Sequence, residues 1–272
     1  MSTTTLTAPT GTTVTRTRER AVPASIPTRR IVGVELRKMF NTRSGFWLMA
    51  SIGIAALLAT IATLVFAPND ELTQEAFSAA IGFPMAVILP MVAILSVSSE
   101  WSQRSGLTTF TLVPRRGRVI TAKLIATVVV AIVSMLVAGA IGALGNIVGS
   151  SIAGVDTVWD LTFQDFALIV LANVLGMLAG FMLGVVLRNS SAAIVGYFVI
   201  SGLLPTLFMV LSDAQQWFRD LWPWIDFNYA QGALFEGSPS AAEWAHLGVT
   251  GLIWLVIPMA LGLRFLLRSE IK

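Results

Sequence analysis

Six long apolar runs alternate with polar segments along this chain. A helix of about 20 apolar residues spans about 30 Å, which matches the hydrocarbon core of a bilayer. None of the six runs contains Asp, Glu or Lys. The pattern therefore predicts an all-α, polytopic membrane protein with six transmembrane helices. The predicted helices lie at residues 46–67, 79–99, 124–148, 167–187, 192–211 and 247–267.

Two segments of different character precede the first apolar run. Residues 1–28 are mostly Thr, Ala, Pro, Ser and Arg, which cannot bury enough apolar surface to fold, so a disordered tail is predicted. Residues 29–43 open the single membrane domain 29–272 and predict a short helix that lies in the headgroup region, because cations oppose an apolar stripe. A plain extension of the first span is the alternative. The stripe comprises Val32, Leu36, Met39 and Phe40.

The polar segment 100–123 carries the clearest excess of positive charge between two runs. It contains one anion, Glu100, and five cations, which are Arg104, Arg115, Arg116, Arg118 and Lys123. Lys and Arg resist translocation, so basic loops stay in the cytosol. With six spans, 17 of the 18 Lys and Arg residues fall on the side of the termini, and 11 of the 15 acids fall on the other side. We therefore predict that both termini and this loop are cytosolic.

Three glycines recur at every fourth position of the fourth run. They are Gly176, Gly180 and Gly184, and they form two overlapping GxxxG steps on one helix face. Missing side chains allow another helix to approach closely along this face. The partner helix belongs either to this chain or to a second copy, and the sequence leaves both alternatives open.

The long segment 212–246 is too aromatic for a solvated loop and too charged for a membrane span. It contains the aromatic residues Trp217, Phe218, Trp222, Trp224, Phe227, Tyr229 and Trp244. Aromatic rings favour the boundary between membrane and water. The segment is therefore predicted to lie at that boundary or to form a re-entrant pair of short helices.

Several kinds of chemistry are not supported by the residues of this chain. Cysteine is absent, and the one histidine, His246, cannot build a histidine metal cluster, so no metal or cofactor is predicted. No lysine follows a glycine as a phosphate-binding loop requires, so the chain is not expected to hydrolyse ATP. Ion-coupled carriers place ionisable groups at mid-membrane, and the six runs lack acids and lysines. Energy for any transport would come from another protein.

The central loop resembles the cytosolic loop of type-2 ABC transporter permeases. The residues that carry the resemblance are Glu100, Arg104-Ser-Gly106, Thr108-Thr109, Pro114-Arg115-Arg116 and Lys123. Glu35-Leu-Arg-Lys38 ahead of Arg43 also resembles the opening helix of that family. One departure is visible, because Leu107 separates Gly106 from Thr108. The likeness extends to the order of six spans, an interfacial helix and a long outer segment.

The resemblance implies a permease subunit of an ATP-driven exporter in a bacterial plasma membrane. Its partners would be a cytosolic ABC ATPase, a second permease copy and membrane lipids, with no nucleic acid. The opening helix and the central loop would dock on the ATPase, and the segment 212–246 would gate the outer mouth. The expected loop contacts are Trp101, Arg104, Leu107, Phe110 and Leu112. Arg115, Arg116 and Arg118 are expected to hold lipid phosphates or to determine topology.

Two other function classes are compatible with parts of this pattern. A membrane anchor or sensor that recruits a cytosolic partner would need the same basic loop. A stand-alone secondary carrier is disfavoured, because the predicted spans lack coupling groups. Substrate-stimulated ATPase activity in vesicles would distinguish the exporter from the anchor.

Overall fold

The fold is all-α and crosses the membrane six times. The structure is a computed structural model that describes residues 26–102 and 116–268 of the 272 residues. Over these ranges it has no strand, only an isolated bridge between Thr73 and Val158. Six stretches within its helices are long and apolar enough to span a bilayer. They are Gly45–Phe66, Gln74–Ser98, Gly117–Ala153, Phe163–Leu187, Ser190–Ala214 and Ala241–Leu266.

The described α-helices are numbered in chain order. They are α1 (Thr28–Asn41), α2 (Arg43–Phe66), α3 (Gln74–Ser102), α4 (Arg116–Ala153), α5 (Phe163–Leu187), α6 (Ser190–Phe198), α7 (Leu204–Ala214), α8 (Gln216–Ile225), α9 (Phe227–Gly232), α10 (Ala241–Gly251) and α11 (Ile257–Arg268). The bundle has two ends, which we call the α1 side and the α8 side after the short helices that lie there. Predictions for residues 1–25 and 103–115 concern parts outside the described residues.

The third span is longer than predicted. Its helix, α4, begins at Arg116 rather than at residue 124 and ends at Ala153 rather than at residue 148. The early start follows from packing, because Val119 and Ile120 are 1% and 3% exposed. The helix ends where Gly154 adopts a positive φ of 69°, a conformation that glycine accepts without strain. Lys123 therefore lies inside a candidate span, which the predicted boundaries had excluded.

The other spans also start earlier than their apolar runs. Two of these starts are capping boxes, in which a hydroxyl and a carboxylate exchange bonds with backbone N–H groups. Thr162 and Asp165 open α5, and Ser240 and Glu243 open α10. Polar residues at these starts precede the apolar run, so hydropathy alone places the boundaries too late.

Helix α3 lies at the centre of the bundle and packs against α2, α4, α5 and α6. The closest approach is to α5, along the predicted glycine stripe. A Cβ atom at Gly180 would lie 2.7 Å from the carbonyl oxygen of Pro90, and one at Gly184 would lie 3.3 Å from that of Ile94. Gly176, one turn earlier, faces the amide of Gln231 instead. The stripe is therefore used inside the chain.

The last two spans are each interrupted by a π-helical turn. The turns are Val199–Leu203, between α6 and α7, and Leu252–Val256, between α10 and α11. The first turn lies just before Pro205 of the fifth span, and the second lies just before Pro258 of the sixth. Between these spans, the aromatic segment forms the short helices α8 and α9. Their re-entrant or boundary position in the membrane stays a prediction.

Candidate coupling site on the α1 side

Helix α1 is packed onto the bundle rather than separated from it. It contacts α4 and α2, and its most buried residues are Ile31 and Glu35, at 6% and 3% exposure. The two are four residues apart and so share one helix face. This face is offset from the predicted apolar stripe, because the side of α1 that carries Glu35 faces α4.

The predicted stripe itself is divided between protein and surroundings. Leu36 and Met39 pack against the main hydrophobic core, and Val32 is half-buried. Phe40 is half-exposed and Val34, outside the stripe, is exposed to a similar extent. A helix that lay only on lipid would not bury Leu36 and Met39 in this way. Contact with the bundle therefore contributes to the position of α1.

An ion pair joins α1 to α4. The Lys123 Nζ donates to Glu35 Oε2 over 2.5 Å, and the two side chains are 3% and 4% exposed. On the solvent side of the same carboxylate, Lys38 Nζ donates to Oε1 over 2.8 Å. Glu35 thus receives one buried and one exposed lysine, and both of its oxygens are bonded.

The electrostatics of Glu35 follow from these contacts. Burial alone disfavours the charged carboxylate and would raise its pKa. The charges and hydrogen bonds of Lys123 and Lys38 act in the opposite direction and prevail, so the pKa of Glu35 lies below its usual value of 4.5. The carboxylate is therefore ionised at neutral pH.

Helix α3 also takes part in this junction. Lys123 Nζ donates a second hydrogen bond to the carbonyl oxygen of Ser96 over 3.1 Å. Two residues further on, the Ser98 and Ser190 hydroxyl oxygens lie 2.8 Å apart, which connects α3 to the start of α6. One lysine therefore joins three helices, α1, α3 and α4, near the ends that flank residues 103–115.

Arg118 fastens the start of α1. Its Nη2 donates to the carbonyl oxygen of Ile26 and, over 3.4 Å, to Thr28 Oγ1. Arg118 was predicted to hold lipid phosphates or to determine topology, and these roles stay predictions beside the protein contacts that the structure shows. Pro27 gives α1 no side-chain cap, and Arg118, which can only donate, does not replace one. Its contacts tie the start of α1 to α4. The same helix, α4, therefore holds α1 at its beginning and at Glu35.

The predicted loop contacts meet the described structure at one position. Trp101 lies in the last turn of α3, which ends at Ser102. Arg104, Leu107, Phe110 and Leu112 lie outside the described residues, so their roles stay predictions. The two helices that flank this loop, α3 and α4, pack against each other. Lys123 belongs to α4 and donates a hydrogen bond to the Ser96 carbonyl of α3.

Sequence reasoning named both members of the ion pair but did not pair them. Glu35 is the only acid between Glu19 and Asp70, and it sits in a helix whose other charges are cationic. A single acid in such a helix is a recognisable signal for a buried or paired position. Lys38, three residues away, is a local partner of Glu35, but Lys123 is 88 residues away and could not be assigned from local spacing.

The remaining titratable residues point to no second chemical site. Within the described ranges, no group of three or more His, Cys, Asp and Glu side chains is placed to hold a metal ion. His246 packs edge-on against Trp224, with ring centroids 4.4 Å apart.

Comparison with known proteins adds no assignment. No protein-family model matches this chain, and no curated protein matches it. The likeness to type-2 ABC permeases therefore depends on the motifs quoted above, and its implications stay predictions.

Proposed function

We propose that this chain is the membrane-spanning permease subunit of an ATP-driven exporter of the type-2 ABC class. The observation that carries the proposal is the buried pair of Glu35 and Lys123. These two residues come from the two separate motifs of the family resemblance, the opening helix and the end of the central loop. Their contact brings both motifs to one junction, beside the loop that would meet an ATPase.

The junction favours mechanical transmission of a push from outside the membrane. Packed helices move as rigid bodies when their contacts are specific and buried. Because Lys123 bonds both Glu35 and the Ser96 carbonyl, a displacement of α1 would be passed to α3 and α4 together. An ATPase that gripped the loop 103–115 would act on the same two helices. The chain itself contributes no phosphate-binding loop.

In this proposal the α1 side faces the cytosol. The α8 side carries the acids of the connecting segments, and Arg219 is the cation of the segment 212–246. The absence of cysteine makes sidedness measurable, because a single introduced thiol is the sole target. A membrane-impermeant maleimide on intact cells should label Ser238→Cys and should not label Thr42→Cys. The reverse pattern would contradict the proposed orientation.

The partner is tested by co-expression with an ABC ATPase from the same genome. An affinity tag on this chain should retain the ATPase, and the pair in lipid nanodiscs should hydrolyse ATP. Phe110→Asp in the central loop should abolish retention of the ATPase. Phe235→Asp is the matched control, because Phe235 is exposed on the α8 side and an ATPase in the cytosol would not reach it.

The same assay separates the exporter from an anchor or sensor. An exporter requires hydrolysis that is stimulated by a transported compound in vesicles. Retention of the ATPase without any stimulation over a broad compound set would favour the anchor. Equal retention by the Phe110→Asp and Phe235→Asp variants would contradict the coupling role of the loop. A second permease copy would have to use a surface other than the glycine stripe, since Gly180 and Gly184 are packed against α3 and Gly176 faces Gln231 of α9.

A further inference from the structure

The two π turns share one feature of their sequence. Each is followed by a proline at the same spacing: Pro205 after the turn 199–203, and Pro258 after the turn 252–256. At the end of each turn the backbone bonds skip five residues, from Leu204 N–H to the Val199 carbonyl and from Ile257 N–H to the Leu252 carbonyl. Such π bulges and prolines are common causes of helix bending.

The two halves of the fifth span pack on different parts of the protein. The α6 half belongs to the body of the bundle, where Ala193 and Tyr197 are buried against Ile94 and Met182. The α7 half packs on α8 instead, with the rings of Phe208 and Phe218 centred 5.4 Å apart. The change of partner coincides with the π turn.

The sixth span divides in the same way. Its α11 half packs on the body, and Leu266 is buried in the main core. Its α10 half packs on α8 and α9, where Leu247 joins Phe227 and Leu234. Helices α7, α8, α9 and α10 therefore form one unit, which we call the hinged lobe, residues 204–251. The chain passes between the hinged lobe and the body through the two π turns.

Pro205 leaves a backbone carbonyl of the first π turn without its backbone donor, and a side chain of the hinged lobe bonds it instead. At π spacing, residue 205 would donate to the Ile200 carbonyl, but proline has no N–H. Asn228 Nδ2, from α9, donates to that carbonyl oxygen over 2.9 Å. At the second turn, Trp254 Nε1 donates to the Ile225 carbonyl at the end of α8 over 2.7 Å. Both turns are thus bonded to the hinged lobe by single neutral hydrogen bonds.

The apolar contact between hinged lobe and body permits sliding. Phe227 and Ala230 of α9, with Leu234 just after it, share one apolar cluster with Ala172 and Ala179 of α5, and these side chains form no hydrogen bonds. Gln231 Nε2 adds one hydrogen bond to the Ala172 carbonyl over 2.7 Å. Small shear movements of packed helices keep such apolar contacts while they change direction.

A cavity of about 490 Å³ lies between the hinged lobe and the body. The hinged lobe contributes residues 235–238, while α3 contributes Glu75 and Phe83 and α5 contributes Asp165 and Ile169. Gly237 lies close to the body, because a Cβ atom there would be 2.7 Å from Asp165 Oδ1. Any rotation of the hinged lobe about the π turns would change the width of this cavity.

We propose that the hinged lobe moves as a unit about the two proline-linked π turns, and that the bond from Asn228 to the Ile200 carbonyl is the latch that limits this movement. Release of the latch widens the mouth of the cavity between residues 235–238 and α3. The proposal does not depend on an ATPase partner, because it concerns a movement within this chain.

The test measures one distance across the cavity mouth and one within the body. The chain has no cysteine, so spin labels can be placed on full-length protein in lipid nanodiscs through introduced cysteines alone. The pair Glu75→Cys and Ser238→Cys spans the mouth, and the pair Glu75→Cys and Gln164→Cys is the control inside the body. Pulsed electron–electron distance measurements then report the width of each distribution.

Asn228→Ala removes the latch. Pro205→Ala makes it unnecessary, because the backbone N–H of residue 205 can then donate to the Ile200 carbonyl. We expect Asn228→Ala to broaden the distribution across the mouth roughly twofold and to leave the control pair unchanged. Pro205→Ala alone should narrow the distribution, and it should suppress the broadening when combined with Asn228→Ala.

Two outcomes would overturn the proposal. An unchanged distribution across the mouth in Asn228→Ala would show that the bond limits no movement. Equal broadening of both pairs would show general loosening rather than a hinge. If Asn228→Ala fails to fold, Pro205→Ala still decides, because a distribution that does not narrow contradicts a hinge at this turn.

Discussion

The two ends of the bundle attach their short helices in different ways. On the α1 side, a buried ion pair between Glu35 and Lys123 fastens α1 to α4. On the α8 side, neutral amide donors reach backbone carbonyls, from Asn228 to Ile200 and from Gln231 to Ala172. The first end is charged and fixed by side-chain pairs, and the second is aromatic and fixed by single neutral bonds.

The difference has a physical consequence for movement. Removing one partner of a buried ion pair leaves an uncompensated charge and costs about 3–5 kcal/mol. A neutral interhelical hydrogen bond in a membrane protein contributes about 0.6 kcal/mol on average. Thermal energy can therefore open the bonds on the α8 side far more often than the pair on the α1 side. One end is suited to transmit force and the other to yield.

The largest expected effect on stability comes from removing the ion pair on the α1 side. Glu35→Ala should lower the free energy of unfolding by about 3–5 kcal/mol, because it leaves Lys123 charged and buried. The matched control is Lys38→Ala, whose side chain is 45% exposed in the wild type and which should cost about 0–1 kcal/mol. Unfolding in detergent, followed by tryptophan fluorescence, measures both. Equal effects would mean that the buried pair has no special role.

The comparison also requires a rigid body between the two ends. Gly180→Ala should destabilise the protein by about 1–3 kcal/mol, because its Cβ would meet backbone atoms of Pro90 that cannot move aside. Gly176→Ala is the control, since its nearest neighbour is the flexible Gln231 amide at 3.3 Å. Thermal midpoints of the two variants give the comparison. A tolerant Gly180 would indicate that α3 and α5 can separate.

A third change tests whether prolines create the need for neutral donors. Pro90 cannot donate to the Ala86 carbonyl, and Tyr197 Oη donates to it instead over 2.8 Å. Tyr197→Phe should therefore cost about 1 kcal/mol, and much less in a Pro90→Ala background. Ser201→Ala is the control, because its hydroxyl bonds the carbonyl of Tyr197 in its own helix turn. An identical cost in both backgrounds would contradict the explanation.

The smallest effect at ordinary pH is the titration of Glu35. The pKa of this carboxyl is lower in the folded protein than its usual value of 4.5, so the stability it contributes is fully present above that value. It is lost as the pH falls below 4.5 through the folded pKa. Glu35→Gln should remove this part of the acid dependence. Thermal unfolding from neutral to acid pH in both proteins measures it, and identical profiles would contradict the assignment.

The number and order of the spans could be predicted, because a bilayer demands long apolar helices whatever their partners are. Their beginnings could have been predicted better. Thr162 with Asp165 and Ser240 with Glu243 follow the spacing of a capping box, which is a local signal. The early start of α4 had no such signal, since it depends on burial of Val119 against other helices.

By itself, the sequence determined the six spans, the glycine face at Gly180 and the lack of an ATP-binding loop, because each depends on local composition or spacing. Only the tertiary structure decided which atoms meet. Lys123 reaches Glu35 across 88 residues, and Tyr197 reaches the Ala86 carbonyl across 111 residues. Such contacts form where helix packing places a donor beside a carboxylate or beside a carbonyl that lacks a donor because of proline. Local sequence patterns do not specify which helices pack together, so they do not predict these contacts.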